Sequence, residues 1–160
     1  MTTNFLRPLL WSALIVGLTF TSCKEEDEAD PPPTKSEMLT GNNWTRIRIE
    51  IEPAIDFDGN GTQENNLTPY FAACDLDDFM NLKTDKSYII EEGASKCDPN
   101  DPQVIETGVW TLNSDNTRIA LTSGGITTDV LIKSLTSAQW VGEETFVDQG
   151  VTYTLTTTYN

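Results

Sequence analysis

The stretch that decides the fold is Val151-Thr152-Tyr153-Thr154-Leu155-Thr156-Thr157-Thr158-Tyr159, near the end of the 160-residue sequence. In an extended chain successive side chains point to opposite faces. One face of this stretch therefore carries large apolar and aromatic side chains, and the other carries only threonine. A threonine face suits solvent and an aromatic face suits an interior. The stretch predicts a strand that is buried on one side.

Segments of the same kind recur through the sequence before it. They are short, rich in β-branched and aromatic residues, and separated by polar or glycine-containing turns. They cover residues 44–51, 79–82, 87–92, 107–112, 118–122, 126–134 and 138–145. With the last strand this makes about eight, and no long helical pattern interrupts them. The spacing predicts an all-β protein, an antiparallel barrel or sandwich.

Three short motifs favour the barrel. Leu39-Thr40-Gly41-Asn42-Asn43-Trp44 resembles the Leu-x-Gly-x-Trp opening of the lipocalin-like domains in bacterial lipoproteins, with one extra residue before the tryptophan. Cys74-Asp75-Leu76-Asp77-Asp78-Phe79 resembles their Cys-x-x-Asp-Asp segment, and Gly108-Val109-Trp110-Thr111-Leu112 resembles their Gly-x-Trp-x-Leu strand. The resemblance covers residues 37–160. It implies an up-and-down, lipocalin-like barrel that a tryptophan closes near the first strand.

The first 22 residues predict a lipoprotein signal peptide. An apolar segment of about ten residues, too short to span a bilayer, is followed by Thr21, Ser22 and Cys23. This arrangement resembles the lipobox of lipoprotein precursors, although Phe20 stands where leucine is usual. Cleavage before Cys23 and its acylation would anchor the protein in a membrane. The alternative is an ordinary secreted protein.

Residues 23–36 predict a tether. The segment is acidic and contains Pro31-Pro32-Pro33, so it cannot bury enough apolar surface to fold. Lys24-Glu25-Glu26 resembles the export signal of surface-exposed lipoproteins. We expect an outer-membrane, cell-surface location, with a periplasm-facing anchor as the alternative.

Composition excludes several functions. The sequence has 25 acidic and 10 basic residues, for a formal net charge of −15, which argues against nucleic acid as a partner. It contains no histidine, so Ser-His-Asp and Cys-His catalytic sites and histidine-ligated zinc sites are excluded. We expect no enzymatic activity. The sequence carries no signal for an oligomeric state.

Cys74 and Cys97 are the cysteines that remain after Cys23. An even pair in an exported chain predicts a disulfide bond. A reactive or metal-binding pair is the alternative, but no third ligand is evident nearby.

A calcium loop is the one metal site that the sequence suggests. Oxygen-bearing side chains alternate from residue 56 to residue 64, with glycine at the sixth position, as at the start of a calcium loop. The candidate ligands are Asp56, Asp58, Asn60, Thr62 and Glu64. Position twelve is Leu67 instead of the expected glutamate, so a plain polar turn is the alternative. No other cofactor is expected.

Three aromatic residues in predicted strands, Trp110, Trp140 and Tyr153, are candidate ligand contacts, with a role in the core as the alternative. If one end of the barrel is open, they would line a cavity for a small apolar or carbohydrate ligand. The predicted function is therefore a non-catalytic, lipid-anchored binding protein for a small ligand or a partner. The alternative is a structural or adhesive surface module with a filled barrel and a calcium-stabilised loop.

Overall fold

A closed antiparallel sheet forms the domain, which the computed structural model describes over residues 30–160. The strands of the closed sheet are β1 (Asn43–Ile55), β3 (Phe79–Leu82), β4 (Ser87–Glu91), β5 (Val104–Leu112), β6 (Arg118–Ser123), β7 (Ile126–Leu135), β8 (Trp140–Asp148) and β9 (Val151–Tyr159). The remaining elements are α1 (Lys35–Thr40), β2 (Glu64–Asn66), a 3₁₀ turn (Thr68–Tyr70) and α2 (Ala73–Leu76).

Pairing between the first and last long strands closes the sheet. Each strand from β3 to β9 is antiparallel to the next, and β9 returns to pair with β1 through Ile51 opposite Leu155 and Glu50 opposite Thr156. The short strand β2 lies outside this ring and pairs only with β1. The prediction of an all-β, up-and-down barrel of eight strands is confirmed.

A bulge interrupts the alternation that the sequence predicts for β1. The pairing with β9 shifts between Arg46 and Arg48, which inserts one extra residue into β1. Trp44 is buried before the bulge and Ile49 after it, whereas Ile47 is 44% exposed. The extra residue exchanges the two faces, so an unbroken two-residue alternation does not hold across residues 44–51.

Helix α1 covers one end of the barrel, which we call the closed end. Its start is fixed by a capping box, in which Thr34 Oγ1 accepts from the Glu37 amide at 3.2 Å and the Thr34 amide donates to Glu37 Oε2 at 2.7 Å. Lys35 Nζ donates to the carbonyl of Asn116 at 2.9 Å, and Lys86 Nζ donates to Ser36 Oγ at 3.1 Å. These contacts reach the β5–β6 and β3–β4 turns. Helical structure thus begins at Lys35, so the last two residues of the predicted tether are helical.

The main hydrophobic core lies at the closed end. Trp44 and Trp140 meet edge to face with ring centroids 6.1 Å apart, and Trp44 Nε1 donates to the carbonyl of Leu39 at 2.8 Å. The resemblance noted in the sequence implies that a tryptophan closes the barrel near its first strand, and this contact agrees with that expectation. The buried members of the core are Leu39, Trp44, Met80, Leu82, Tyr88, Trp110, Ile119, Ile132 and Trp140.

The opposite end, which we call the loop end, is covered differently. The β4–β5 loop, the β6–β7 and β8–β9 turns and the long β1–β3 segment lie there. Within that segment Leu67 packs against Ile49 and Ile51, and the Leu67 amide donates to the carbonyl of Ile49 at 2.9 Å. This second, smaller core covers the β1–β9 side of the loop end. Within residues 30–160, no helix has the length and apolar character that crossing a membrane would require.

Candidate functional site

The barrel interior contains a cavity with two adjoining compartments towards the loop end. Ile90, Leu121 and Tyr159 belong to the walls of both compartments. The two volumes are about 280 Å³ and about 340 Å³. Ligand pockets for drug-sized molecules are typically about 300–1,000 Å³, so the compartments are suited to small ligands.

We name the first the Arg46 compartment. Its lining residues are Trp44, Arg46, Asp78, Phe79, Met80, Ile90, Ile105, Leu121 and Tyr159. The Arg46 guanidinium donates to the carbonyl of Asp75 at 2.9 Å and lies 4.0 Å from the Asp78 carboxylate. It also lies 5.9 Å from the ring centre of Phe71, within cation–π range. Arg46 is thus engaged by protein groups on the side of the β1–β3 segment.

Asp78 is the most buried acid of the Arg46 compartment. Only 9% of the residue is exposed, and its Oδ1 has no hydrogen-bond partner among the described residues. Burial raises the pKa of Asp78, against the lowering effects of a hydrogen bond from the Gly93 amide and of the Arg46 charge. An acceptor oxygen without a partner is costly inside a protein. This oxygen is itself enclosed by protein, so Asp78 borders the compartment without offering Oδ1 to a ligand.

We name the second the Glu144 compartment. Its lining residues are Tyr88, Ile90, Glu106, Leu121, Ser123, Ile126, Thr128, Val130, Glu144 and Tyr159. Tyr88 lies across the strand pair from Gly108, where an added Cβ would come within 2.5 Å of the tyrosine ring. The glycine lets the ring lie flat on the sheet, and the Tyr88 hydroxyl donates to Glu106. Burial, together with this hydrogen bond, raises the pKa of Tyr88 to about 12.

Glu144 enters the barrel because of its position in β8. Its neighbour Glu143 points outward and pairs with Lys133 at 3.0 Å, whereas Glu144 lies on the same face as Trp140 and lines the cavity. Burial raises the pKa of the Glu144 carboxyl group. None of the four ion pairs within residues 30–160 includes Glu144.

Tyr159 lines both compartments. Its ring stacks on Trp140 with centroids 4.7 Å apart, so the core of the closed end holds it in place. Burial raises the pKa of Tyr159 to about 12, and the nearby charges of Arg46 and Glu144 act in opposite directions. The phenol therefore stays neutral at physiological pH.

Eight antiparallel strands follow one another in sequence order, and the last pairs with the first. The fold is thus a closed, eight-stranded, up-and-down antiparallel barrel. One similar solved structure is bovine odorant-binding protein in complex with undecanal, with 15% sequence identity and a TM-score of 0.41 over 82% of this chain and 76% of that chain. Another is the same bovine protein in complex with a selenium-containing odorant, with 15% sequence identity and a TM-score of 0.41 over 81% of this chain and 74% of that chain.

At this level of likeness the ligands of those structures say nothing about the ligand of the present chain. No protein-family model matches the sequence, and no curated protein sequence matches it. A function for this chain must therefore be inferred from the residues that line the cavity.

The aromatic residues predicted as ligand contacts occupy different places in the barrel. Trp110 and Trp140 are 0% exposed and belong to the core at the closed end. Trp110 Nε1 donates to the carbonyl of Lys83 at 3.0 Å, and the Lys86 ammonium lies 3.7 Å from the centre of its ring. Tyr153 stacks on Phe146 at 5.4 Å beside the smaller core. The aromatic residue that lines both compartments is Tyr159.

The charged lining residues did not emerge as site residues from the sequence. Arg46, Asp78, Glu106 and Glu144 all lie in predicted strands or directly beside one. The signal that marks them is a charged residue on the face that otherwise carries the core. In β8 this face carries Trp140, then Gly142, then Glu144, which is an inward position for a carboxylate.

The predicted disulfide between Cys74 and Cys97 is confirmed. It joins α2 to the β4–β5 loop at the loop end. Asp77 strengthens the same junction, because its carboxylate accepts from the amide of Ser95 at 3.0 Å and from the Ser95 hydroxyl at 2.8 Å. The β1–β3 segment, which contributes Asp78 to the Arg46 compartment, is therefore tied to the β4–β5 loop.

The predicted calcium loop brings its three carboxylate side chains together. Carboxylate oxygens of Asp56, Asp58 and Glu64 lie within 4.8 Å of one another. Asn60 Oδ1 accepts from the Thr62 amide at 2.8 Å, and Asp56 accepts from the Gly61 amide at 3.0 Å. The loop is exposed, and it lies apart from the residues that line the cavity. Calcium binding stays a prediction.

The predicted lipidation site lies elsewhere in the sequence. Cys23 falls outside the described residues, and so do the signal peptide of residues 1–22 and the first half of the tether, residues 23–29. The membrane anchor and the cell-surface location therefore stay predictions.

Proposed function

We propose that the protein binds a small, largely apolar molecule inside its barrel and performs no covalent chemistry on it. The observation that supports this proposal is the pair of compartments that share Ile90, Leu121 and Tyr159. Apolar side chains supply most of the Arg46 compartment, and removing apolar surface from water favours association. Carbohydrate, the other ligand class considered from the sequence, fits these apolar walls less well.

The rival function, a structural module with a filled barrel, is disfavoured by how the interior is filled. Large side chains fill the closed end, where Trp44, Trp110 and Trp140 are at most 1% exposed. The loop end instead keeps compartments of about 280 Å³ and 340 Å³. A purely structural barrel gains stability from packing at both ends, since unfilled volume costs free energy.

We expect Leu121→Trp to weaken ligand binding at least tenfold, because the larger side chain occupies volume that belongs to both compartments. The matched control is Val109→Trp on the neighbouring strand β5, where the native side chain is 54% exposed on the outer face. The measurement is titration with an uncharged, environment-sensitive dye that is excited where tryptophan does not absorb. Wild type and the control should bind it alike.

Unchanged dye affinity in Leu121→Trp would place the dye outside the barrel, and no binding by the wild type would contradict the proposed function itself. A milder variant, Val130→Phe, keeps the test valid if the larger substitution impairs folding. Near-ultraviolet circular dichroism of each variant shows whether the core is intact.

We also propose, on the sequence alone, that acylated Cys23 anchors the domain in a membrane. The supporting features are the apolar segment before Cys23 and the small residues that directly precede it. Partition between detergent and aqueous phases tests the anchor: Cys23→Ser should move to the aqueous phase, and equal partition of variant and wild type would refute it.

Calcium is expected to raise the melting temperature at a few millimolar, since a ligand that binds only the folded state stabilises it. The supporting observation is the convergence of the Asp56, Asp58 and Glu64 carboxylates. Asp56→Asn with Asp58→Asn should remove the shift. Asp98→Asn with Asp101→Asn, the same charge change in another exposed loop, should retain it. Absence of any shift in the wild type would end the calcium hypothesis.

A further inference from the structure

The ionisable side chains of the cavity are unbalanced in charge. The two compartments are lined by the carboxyl groups of Asp78, Glu106 and Glu144 and by one guanidinium, that of Arg46. The Glu144 compartment has no basic residue in its lining. Carboxylates that converge on a cavity with low-dielectric walls create a potential that concentrates cations.

The one basic group is already engaged. Arg46 lies 4.0 Å from the Asp78 carboxylate and donates to the carbonyl of Asp75 at 2.9 Å. A ligand carboxylate would have to compete with both groups. Because Asp78 also faces this compartment, an anion there would meet a like charge. The lining thus disfavours an anionic ligand.

The acidic side chains in the Glu144 compartment, in contrast, are not paired with any basic residue that the structure describes. No ion pair within residues 30–160 involves Glu106 or Glu144. Glu106 accepts from the Tyr88 hydroxyl, so Glu144 is the lining carboxyl group of its compartment that lacks a protein partner in the described part of the chain. Charged groups that are partly removed from water are normally paired in native proteins, so the Glu144 carboxylate at the cavity wall points to a cation that a ligand supplies.

We propose that the barrel selects organic cations, with the Glu144 carboxylate pairing with the ammonium group of an amphipathic amine. The apolar part of the amine lies against Ile90 and Leu121, which connect the Glu144 compartment to the Arg46 compartment. The phenol rings of Tyr88 and Tyr159 line the same compartment and suit a cation, because aromatic faces attract positive charge. This inference rests on the proposed function and specifies its ligand class.

Three probes of equal chain length separate the charge preference from apolar binding: octylamine, octanol and octanoate, each titrated into the folded domain by calorimetry at neutral pH. We expect octylamine to bind at least tenfold more tightly than octanol, and octanoate to bind most weakly. Glu144→Gln should weaken octylamine binding about tenfold and leave octanol binding unchanged. Glu143→Gln is the matched control, since it removes a neighbouring charge on the outer face and should change neither affinity.

The outcomes distinguish this inference from the proposed function. Equal affinities of the wild type for octylamine and octanol, or an unchanged preference in Glu144→Gln, would overturn the cation site and leave apolar binding intact. Tightest binding of octanoate would overturn it in favour of an anion at Arg46. Loss of the amine preference in Asp78→Asn but not in Glu144→Gln would overturn the assignment to Glu144. No binding of any probe would refute the proposed function as well.

Discussion

Replacing Trp44 by alanine is expected to lower the free energy of unfolding by about 3–5 kcal/mol. The side chain is 1% exposed and meets Trp140 edge to face at 6.1 Å. Its indole Nε1 also holds the carbonyl of Leu39 at 2.8 Å, so truncation leaves a cavity and a buried acceptor without a partner. Because Leu39 belongs to α1, the helix that covers the closed end should loosen together with the core.

Urea unfolding followed by circular dichroism measures this loss. Phe57→Ala is the matched control, since it removes an aromatic ring that is 45% exposed, and it should cost much less. Trp44→Phe should fall between the two, because it keeps part of the buried ring and loses the hydrogen bond. A loss below about 1 kcal/mol for Trp44→Ala would contradict the role of this core in closing the barrel.

Removing the disulfide is expected to cost about 2–4 kcal/mol, because the bond closes a loop and restricts the unfolded chain. Cys74 and Cys97 are 23 residues apart in sequence, and they join α2 to the β4–β5 loop. The double variant Cys74→Ala with Cys97→Ala should therefore be less stable. Reduced wild type should unfold at nearly the same denaturant concentration as the variant.

Because the disulfide bond lies at the loop end, we expect its removal to loosen the loop end before the closed end. Hydrogen exchange should accelerate at Leu67, whose amide donates to the carbonyl of Ile49 at 2.9 Å, before it accelerates at Ile119 in the closed-end core. Uniform acceleration at both positions would contradict a local role at the loop end. Identical stability of the oxidised wild type and the double variant would contradict the stabilising role altogether.

The strands were predictable because each one carries its own local signal. The stretch from Val151 to Tyr159 has a strict two-residue period, and the observed strand β9 has the same bounds. The segment at 79–82 and the turn after it likewise predict β3 correctly. In both places the hydrophobic pattern and the turn residues point to the same structure.

Other elements were missed because they depend on contacts between distant residues. The bulge in β1 is set by pairing with β9, and a strand pattern at Arg46 to Arg48 does not reveal it. Helix α1 has only six residues and forms against the barrel turns, through contacts such as Lys35 to Asn116. The fold of the β1–β3 segment likewise depends on Leu67 reaching Ile49 and Ile51.

The candidate site was predictable in kind and not in detail. Placement of Glu144 on the inner face and Glu143 on the outer face follows from the period of β8. That Glu144 shares a compartment with Glu106 depends on the curvature of the whole barrel, which no local pattern encodes. For the same reason the sequence alone does not show whether Trp110 and Trp140 lie in the core or in a cavity.

The measurement that tests ligand binding inside the barrel most directly is a methyl chemical-shift titration of the folded domain with octylamine. We expect saturable shifts for Ile90, Leu121 and Val130, which line the compartments, and none for Ile47, which is 44% exposed on the outer face. Shifts confined to Ile47 and other exposed methyl groups, or no saturable shift at the lining residues, would contradict the binding site.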